Sequence, residues 1–211
     1  MVDYFTAQNF EQYCQLLAGQ FPVFEAVRQQ YGYPPMWQRP NSFESILRII
    51  LEQQVSLASA RTAYEKLKAI LPEVTATAFL ELNDDELRQS YFSKQKIRYS
   101  RLLAQEIVDG QLILENLPLL HTEEIMGRLT QIVGIGEWTA SIYCIICCQK
   151  INLLPLGDVA LVNSMKNLFQ LPASSDKADL LNQVQQFTQY KTIAAYWLWW
   201  HYIQQKKLAF Y

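Results

Sequence analysis

Glycine is scarce in this chain, with seven residues in 211, so the few places where it clusters stand out. Charge is sparse as well: Asp, Glu, Lys and Arg make up 18% of the residues, and 18 basic against 20 acidic side chains leave a net charge of −2. Without a basic excess there is no global sign of nucleic-acid binding, so any such role must rest on local geometry. Half of the residues are hydrophobic, which excludes a disordered tail and, at this length, predicts one domain or two closely packed ones. Only four cysteines occur, Cys14, Cys144, Cys147 and Cys148, three of them in one apolar run that reads as helix. Neighbours on a buried helix are badly placed to bridge one another and no signal peptide precedes the chain, so the expectation is a reduced, cytoplasmic protein. The Cys144-x-x-Cys147 pair lacks the second pair or nearby His that would complete a metal or redox site, and buried structural thiols are expected. No cysteine follows Cys148, which excludes a carboxy-terminal four-Cys iron–sulfur cluster. His121 and His201 are too isolated to propose as metal ligands. The longest apolar runs, Trp138 to Cys148 and Tyr196 to Tyr202, are too short to cross a bilayer, so no membrane partner is expected.

What is present is helical periodicity. From Ser42, the positions Phe43, Ile46, Leu47, Ile50, Leu51 and Val55 recur at steps of three and four, the pattern of one buried helix face. A second helix is predicted over 57–71 with Ala60, Ala63, Tyr64, Leu67 and Ile70 inward, stopped by Pro72. Asn83 and Asp84 cap a short helix ending near Ser90. Ser93 precedes a helix over 94–109, with Ile97, Leu102, Leu103, Ile107 and Val108 near helical spacing and Gly110 as the stop. Thr122 opens a helix carrying Met126, Leu129 and Ile132. The helix from Glu137 to about Gln149 is apolar nearly all round and should be the most buried. Gly157 or Asp158 starts another through Val159, Val162, Met165 and Phe169, and two more run over 175–190 and 191–205. No alternating β-branched run occurs, so the predicted class is all-α. Pro34, Pro35 and Pro40 set off an amino-terminal segment, and there is no internal repeat, long polar linker or low-complexity tract.

Three of the seven glycines, Gly134, Gly136 and Gly157, fall in one region. In Val133-Gly134-Ile135-Gly136-Glu137-Trp138-Thr139-Ala140, Gly134 and Gly136 permit positive φ and leave no side chain to block a ligand. The amides of Gly134, Ile135 and Gly136 and of the helix opening at Glu137 are then free to face one phosphate without a basic patch. Glu137, a good residue for a helix start, would repel such a phosphate and must point aside. A lone Gly-x-Gly between two helices is more often only a connection. Here Asp158 follows Trp138 by twenty positions (158 minus 138) in Leu153-Leu154-Pro155-Leu156-Gly157-Asp158, a loop that reads by itself as an N-cap.

These residues resemble the helix-hairpin-helix DNA glycosylases, and within them the 3-methyladenine DNA glycosylase II type. The Gly-Ile-Gly-x-Trp-Thr-Ala string stands at 134–140 and the Pro-x-Gly-Asp element at 155–158. The resemblance extends upstream to Phe43, Ile46, Ile50, Gln53, Gln54, Val55 and Ser56. Downstream it reaches Tyr190-Lys191-Thr192 and Ala194, Ala195, Leu198 and Trp199, where the family usually reads Trp-Arg-Ser or Trp-Arg-Thr. It covers roughly Trp37 to Trp200.

The resemblance implies an all-α, two-lobed glycosylase core with the active site in the cleft between lobes, in a minimal version without the extra amino-terminal α/β domain of larger members. The expected lobes are 42–118 and 119–211, the latter joined by 1–41, with 1–36 unassigned. It implies a monofunctional enzyme of base-excision repair. This N-glycosyl hydrolase flips 3-methyladenine and 7-methylguanine out of duplex DNA, and Asp158 stabilises the oxocarbenium-like transition state. Trp138 stands where lyase relatives carry a lysine nucleophile, and an indole forms no Schiff base. Trp138, Trp199, Gln53 and Trp37 are the base-pocket candidates, an indole face suiting a cationic purine. Phe92, Ser93 and Lys94 match the loop that fills the gap left by a flipped base, with Tyr91 where the family often has Gly. Lys94, Lys96, Arg98 and Arg101 form the most basic stretch and read equally as phosphate contacts or a solvated helix face. No cofactor is required. The family hairpin often holds Na+ or K+ through backbone carbonyls, here those of Thr130, Ile132 and Ile135. The implied partner is double-stranded DNA with damaged bases, bound by a monomer of bacterial type acting on chromosomal DNA in the cytoplasm. Two alternatives stay open: a glycosylase for 8-oxoguanine, uracil or hypoxanthine, and a non-catalytic DNA-structure binding module.

Overall fold

Short polar side chains start most of the helices, and the apolar stripes behind them decide what packs. The computed structural model describes residues 4–208, and these are helical apart from connecting turns and one isolated antiparallel bridge, Tyr4–Lys150. The helices are α1 (Ala7–Gln20), α2 (Pro22–Tyr31), α3 (Phe43–Glu52), α4 (Leu57–Ile70), α5 (Ala76–Glu81) and α6 (Asp84–Gln89). They continue with α7 (Lys94–Val108), α8 (Thr122–Thr130), α9 (Glu137–Ile146), α10 (Val159–Leu168), α11 (Lys177–Gln185) and α12 (Lys191–Lys206), with 3-10 turns at Leu114–Leu119 and Thr188–Tyr190. The class is all-α.

The residues fall into two compact units, Arg39–Cys148 and Met1–Gln38 with Gln149–Tyr211. In the first, Ser42, Ser56, Asn83 and Ser93 each accept a backbone N–H from the first turn of the helix they precede, satisfying a donor that has no partner inside the helix. α3 buries Phe43, Ile46, Leu47, Ile49, Ile50 and Leu51 and packs against α4, α7 and α9. α9 is buried from Thr139 to Ile145, in line with its all-round apolar sequence. Several expected core positions are corrected. Val55 lies beyond the end of α3 and is exposed, as is Ile70 at the last turn of α4. Tyr64 is half-buried at a rim, under the Arg48 guanidinium at 4.7 Å, with its hydroxyl donating to Glu44. On α7, Ile97 and Leu103 are buried whereas Leu102 and Val108 are exposed, because adjacent residues sit about 100° apart and cannot share one face.

The expected lobe boundary at 118/119 is also corrected. α8 and α9 group with α3–α7, since α9 lays its apolar face on α3, and the change of unit comes at Gln149. There the chain returns to the amino-terminal segment, Phe5 N–H donating to the Gln149 carbonyl at 2.9 Å.

The second unit takes in α1 and α2, which the apolar pattern had left unassigned, and both pack on α12. Its core is aromatic: Phe24 stacks on Trp197 (5.9 Å, 17°) and meets Phe169 and Phe187, while Phe5 and Phe10 meet Tyr196. All four cysteines are buried and unbridged, and desolvation pushes the Cys147 thiol up to about 12 and Cys14 higher, which suits unreactive structural thiols. No helix among the described residues is long and apolar enough to cross a membrane.

Candidate functional site

The hairpin joining α8 to α9 is built on one obligatory glycine. Gly134 has φ +97°, and a Cβ there would lie 2.0 Å from Cγ of Tyr99, whose ring lies against the backbone. Tyr99, on α7, was invisible in the sequence pattern because nothing in its spacing marks it as a partner of residue 134. Gly136 is different: its φ of −88° suits any residue, and no atom lies within 4 Å of where its Cβ would be. Of the two glycines that permit a positive φ, only Gly134 adopts one. Gly136 instead leaves open space at the N-terminus of α9, where the first amides have no partner inside the helix. Ile135 is corrected as a phosphate donor, because its N–H donates to the Ile132 carbonyl at 3.0 Å and its side chain is buried. Glu137 is exposed.

Gln53 does not present its amide nitrogen to a ligand. Nε2 donates to the Gly134 carbonyl and to Thr139 Oγ1, both at 2.9 Å, which uses both of its hydrogens on the hairpin and the first turn of α9. Just past the end of α3 and half-buried, it needed polar partners, and the Gly134 carbonyl and Thr139 hydroxyl supply them. Trp138 is half-buried in the same first turn. The carbonyls of Thr130, Ile132 and Ile135 are hard oxygen donors of the kind a monovalent cation takes. The one at Ile132 retains a second lone pair after accepting from Ile135.

Asp158 caps α10, its Oδ1 accepting the Leu161 N–H at 2.9 Å, so the carboxylate is held in one orientation while remaining half-buried. The loop before it is pinned by a residue whose role the sequence reading missed. Thr192, fully buried near the start of α12, donates to the carbonyls of Lys150 and Leu153 at 2.8 and 3.0 Å and accepts the Leu153 N–H at 3.0 Å. α10 is tied to α12 again by Ser164 Oγ and His201 Nδ1, 2.8 Å apart in the core. Two contacts along one helix thus fix where Asp158 stands.

In the same unit Trp37 stacks on Tyr196 (5.2 Å, 14°), and both meet Trp199 edge-on at 6.4 and 6.0 Å. The Tyr196 hydroxyl donates to the Trp37 carbonyl at 2.6 Å. Trp37 and Trp199 are half-buried, so the two predicted pocket indoles share one aromatic cluster, with Tyr196 as its buried floor. Trp197 is core, and Trp200 donates to the Gly32 carbonyl at 3.2 Å.

The expected gap-filling loop is corrected in part. Phe92 is only 4% exposed and packs on Phe79 at 6.0 Å, so it belongs to the core and cannot act as a wedge. Ser93 caps α7 and Lys94 is exposed, while Tyr91 beside them is 62% exposed at φ 64°. The basic stretch divides. Lys96 donates to the Leu51 carbonyl at 2.6 Å, and Arg101 to Asp84 and the Leu82 carbonyl. Lys94 and Arg98 keep exposed positions. Among the described residues no group of three or more His, Cys, Asp or Glu side chains is placed to hold a metal ion.

The chain is similar to several known proteins. YfjP of Bacillus subtilis (strain 168), provisionally named a DNA-3-methyladenine glycosylase, is 28% identical over 182 residues. These are 82% of this chain, which spans 63% of the length of that relative. Among solved structures, the Schizosaccharomyces pombe 3-methyladenine DNA glycosylase in complex with abasic DNA is 25% identical with a TM-score of 0.82, the match covering 95% of this chain and 98% of that one. A DNA-3-methyladenine glycosidase from Bacillus halodurans is also 25% identical, with a TM-score of 0.77 over 98% of this chain and 95% of that one. The HhH-GPD family model matches residues 47–189, from α3 through the hairpin and Asp158 to the turn before α12, and with more than half of its length so matched the chain belongs to the HhH-GPD superfamily of base excision DNA repair proteins.

Proposed function

We propose that this protein is a monofunctional DNA glycosylase that takes alkylated purines, 3-methyladenine and 7-methylguanine, out of duplex DNA and hydrolyses their N-glycosidic bond. The observation that carries the reading is the fixed carboxylate of Asp158 at the head of α10, in a chain of this family whose relatives are named for 3-methyladenine excision. The amide of Gly136 and those of the first turn of α9 hold a phosphate of the DNA backbone. Trp37 and Trp199, in one aromatic cluster, offer indole faces to the extruded base, whose positive ring an electron-rich face attracts. As the bond from C1′ to the ring nitrogen breaks, its electron pair goes to the base and neutralises it, leaving positive charge on the sugar. Asp158 stabilises that charge, and water adds to C1′ and gives up a proton to the surrounding solvent. An alkylated purine leaves readily, so one carboxylate suffices. With tryptophan at 138 in place of a lysine there is no amine at that position for a lyase step, and the product is an abasic site. A monovalent cation bound by the carbonyls of Thr130, Ile132 and Ile135 would supply positive charge at the hairpin. The partner is double-stranded DNA bound by a monomer in the cytoplasm, and the chemistry requires no cofactor.

The test is release of methylated bases from alkylated duplex DNA by the wild type and by Asp158→Asn. Asparagine keeps the N-cap, so stability should be nearly unchanged. The rate should fall about 10²–10³-fold, the usual loss when a group stabilising transition-state charge is removed. Equal rates would refute the assignment.

A further inference from the structure

We infer that Gln53 is a positioning residue for the DNA-binding hairpin, fixing the direction in which the hairpin's amides face a phosphate; this deepens the function proposed above and rests on it. The side chain bridges two segments. One of its hydrogen bonds ends on the Gly134 carbonyl in the loop, the other on Thr139 Oγ1 in the first turn of α9. The peptide between Gly134 and Ile135 is thereby held at both ends, its oxygen by Gln53 and its N–H by the Ile132 carbonyl. A peptide group is planar, so two such bonds fix its plane. The next amide in the chain, Gly136 N–H, follows directly on that fixed peptide, and a Cβ at Gly136 would meet no atom within 4 Å.

The platform that carries Gln53 is itself tied down. Leu51 receives Lys96 Nζ on its carbonyl at 2.6 Å, and Glu52 pairs with Arg39 at 2.6 Å with both side chains mostly buried. Gln53 N–H donates to the Ile50 carbonyl at 3.2 Å. Residues 51, 52 and 53 are thus each anchored by a polar contact, and α3 ends in a fixed position rather than a frayed turn. From the other side the Tyr99 ring covers Gly134. The loop is clamped between a hydrogen-bond bridge and an aromatic face, so loss of the bridge frees the peptide plane on one side only.

The experiment uses the full chain with a duplex containing a tetrahydrofuran abasic analogue, whose Kd is measured across a salt series. Single-turnover release of 7-methylguanine at saturating DNA and the Tm are measured in parallel. Gln53→Met keeps the shape of the side chain and removes both hydrogen bonds. Gln53→Glu sets an acceptor against an acceptor, and Thr139→Val removes one of the two ties without changing shape. For Gln53→Met the expected result is a Kd raised about tenfold. The slope of log K against log salt should be shallower by about one, the signature of one lost phosphate contact. Thr139→Val should lie between it and the wild type, Gln53→Glu beyond it, and the losses should fall on Kd more than on the saturated rate. An unchanged Kd and salt slope with only a lower Tm would overturn the inference, leaving Gln53 a folding residue. A loss confined to the saturated rate would overturn it differently, placing Gln53 at the base. A wild type that binds the abasic duplex but releases no base defeats the proposed function instead, and the Kd comparison still decides the role of Gln53.

Discussion

Gly134→Ala tests how tightly the hairpin is built. At φ +97° an alanine adopts a sparsely populated backbone conformation, a cost of about 1–3 kcal/mol. Its Cβ would also stand 2.0 Å from Cγ of Tyr99, with Cδ1 and Cδ2 at 2.4 and 2.5 Å. Non-bonded carbons settle at about 3.5–4.0 Å, so the ring would have to retreat by roughly 1.5 Å or more. The clash is at the root of the ring, where a rotamer change cannot simply swing a flexible tip away, and overpacking of this kind costs about 1–3 kcal/mol. Together the two effects amount to about 2–6 kcal/mol, a large share of a stability of about 5–15 kcal/mol. They separate in a double-mutant cycle, because Tyr99→Ala removes the clash and leaves the strain. In that background Gly134→Ala should cost only about 1–3 kcal/mol, giving a coupling of about 1–3 kcal/mol of relief. Urea unfolding of the wild type, both single variants and the double variant measures it, with Gly136→Ala as the control expected to stay within about 0.5 kcal/mol. A coupling below about 0.5 kcal/mol, or a Gly134→Ala protein as stable as the wild type, would refute the argument from geometry.

Two further outcomes follow from the core. Phe92→Ala should destabilise by about 3–5 kcal/mol in denaturant unfolding, the cost of emptying a buried phenyl site, because its ring packs on Phe79. A cost below about 1 kcal/mol would return Phe92 to the surface role the sequence suggested. His201 concerns pH: burial holds its imidazole below the usual value of about 6.5. As pH falls through 6.5 the unfolded chain takes up a proton first, so stability should decline from there toward the lower folded pKa and be insensitive to this group above it. His201→Gln should flatten that part of the pH profile in chemical denaturation. An identical slope in both proteins would show that other groups set it.

Much of the fold is legible in the chain because helix starts are local chemistry. Ser42, Ser56, Asn83, Ser93 and Asp158 each cap the helix that follows. Helix ends were less legible. Val55 continued the stripe of α3, yet that helix stops at Glu52, where Gln53 turns away to bond the hairpin. α1 and α2, before Trp37, and the six-residue α5 went unassigned. Of the candidate site residues, Gly134 and Asp158 stand where local backbone chemistry places them, at a positive-φ turn and at the head of α10. Phe92 does not, since an apolar residue beside exposed polar ones reads the same whether it points in or out.

The sequence by itself determined the all-α class, the glycine turn ahead of α9 and a carboxylate at the head of α10, because caps, helical period and glycine conformation act within a few residues. Only the tertiary structure decided which contacts hold the site together. It brought Tyr99 onto Gly134, Gln53 onto the carbonyl of a residue 81 positions away, Thr192 onto the loop before Asp158, and α9 onto α3 in one unit. Such pairings depend on which faces meet once apolar stripes are buried, and a buried polar group must then find its partner wherever packing has placed one. No spacing within the chain carries that information.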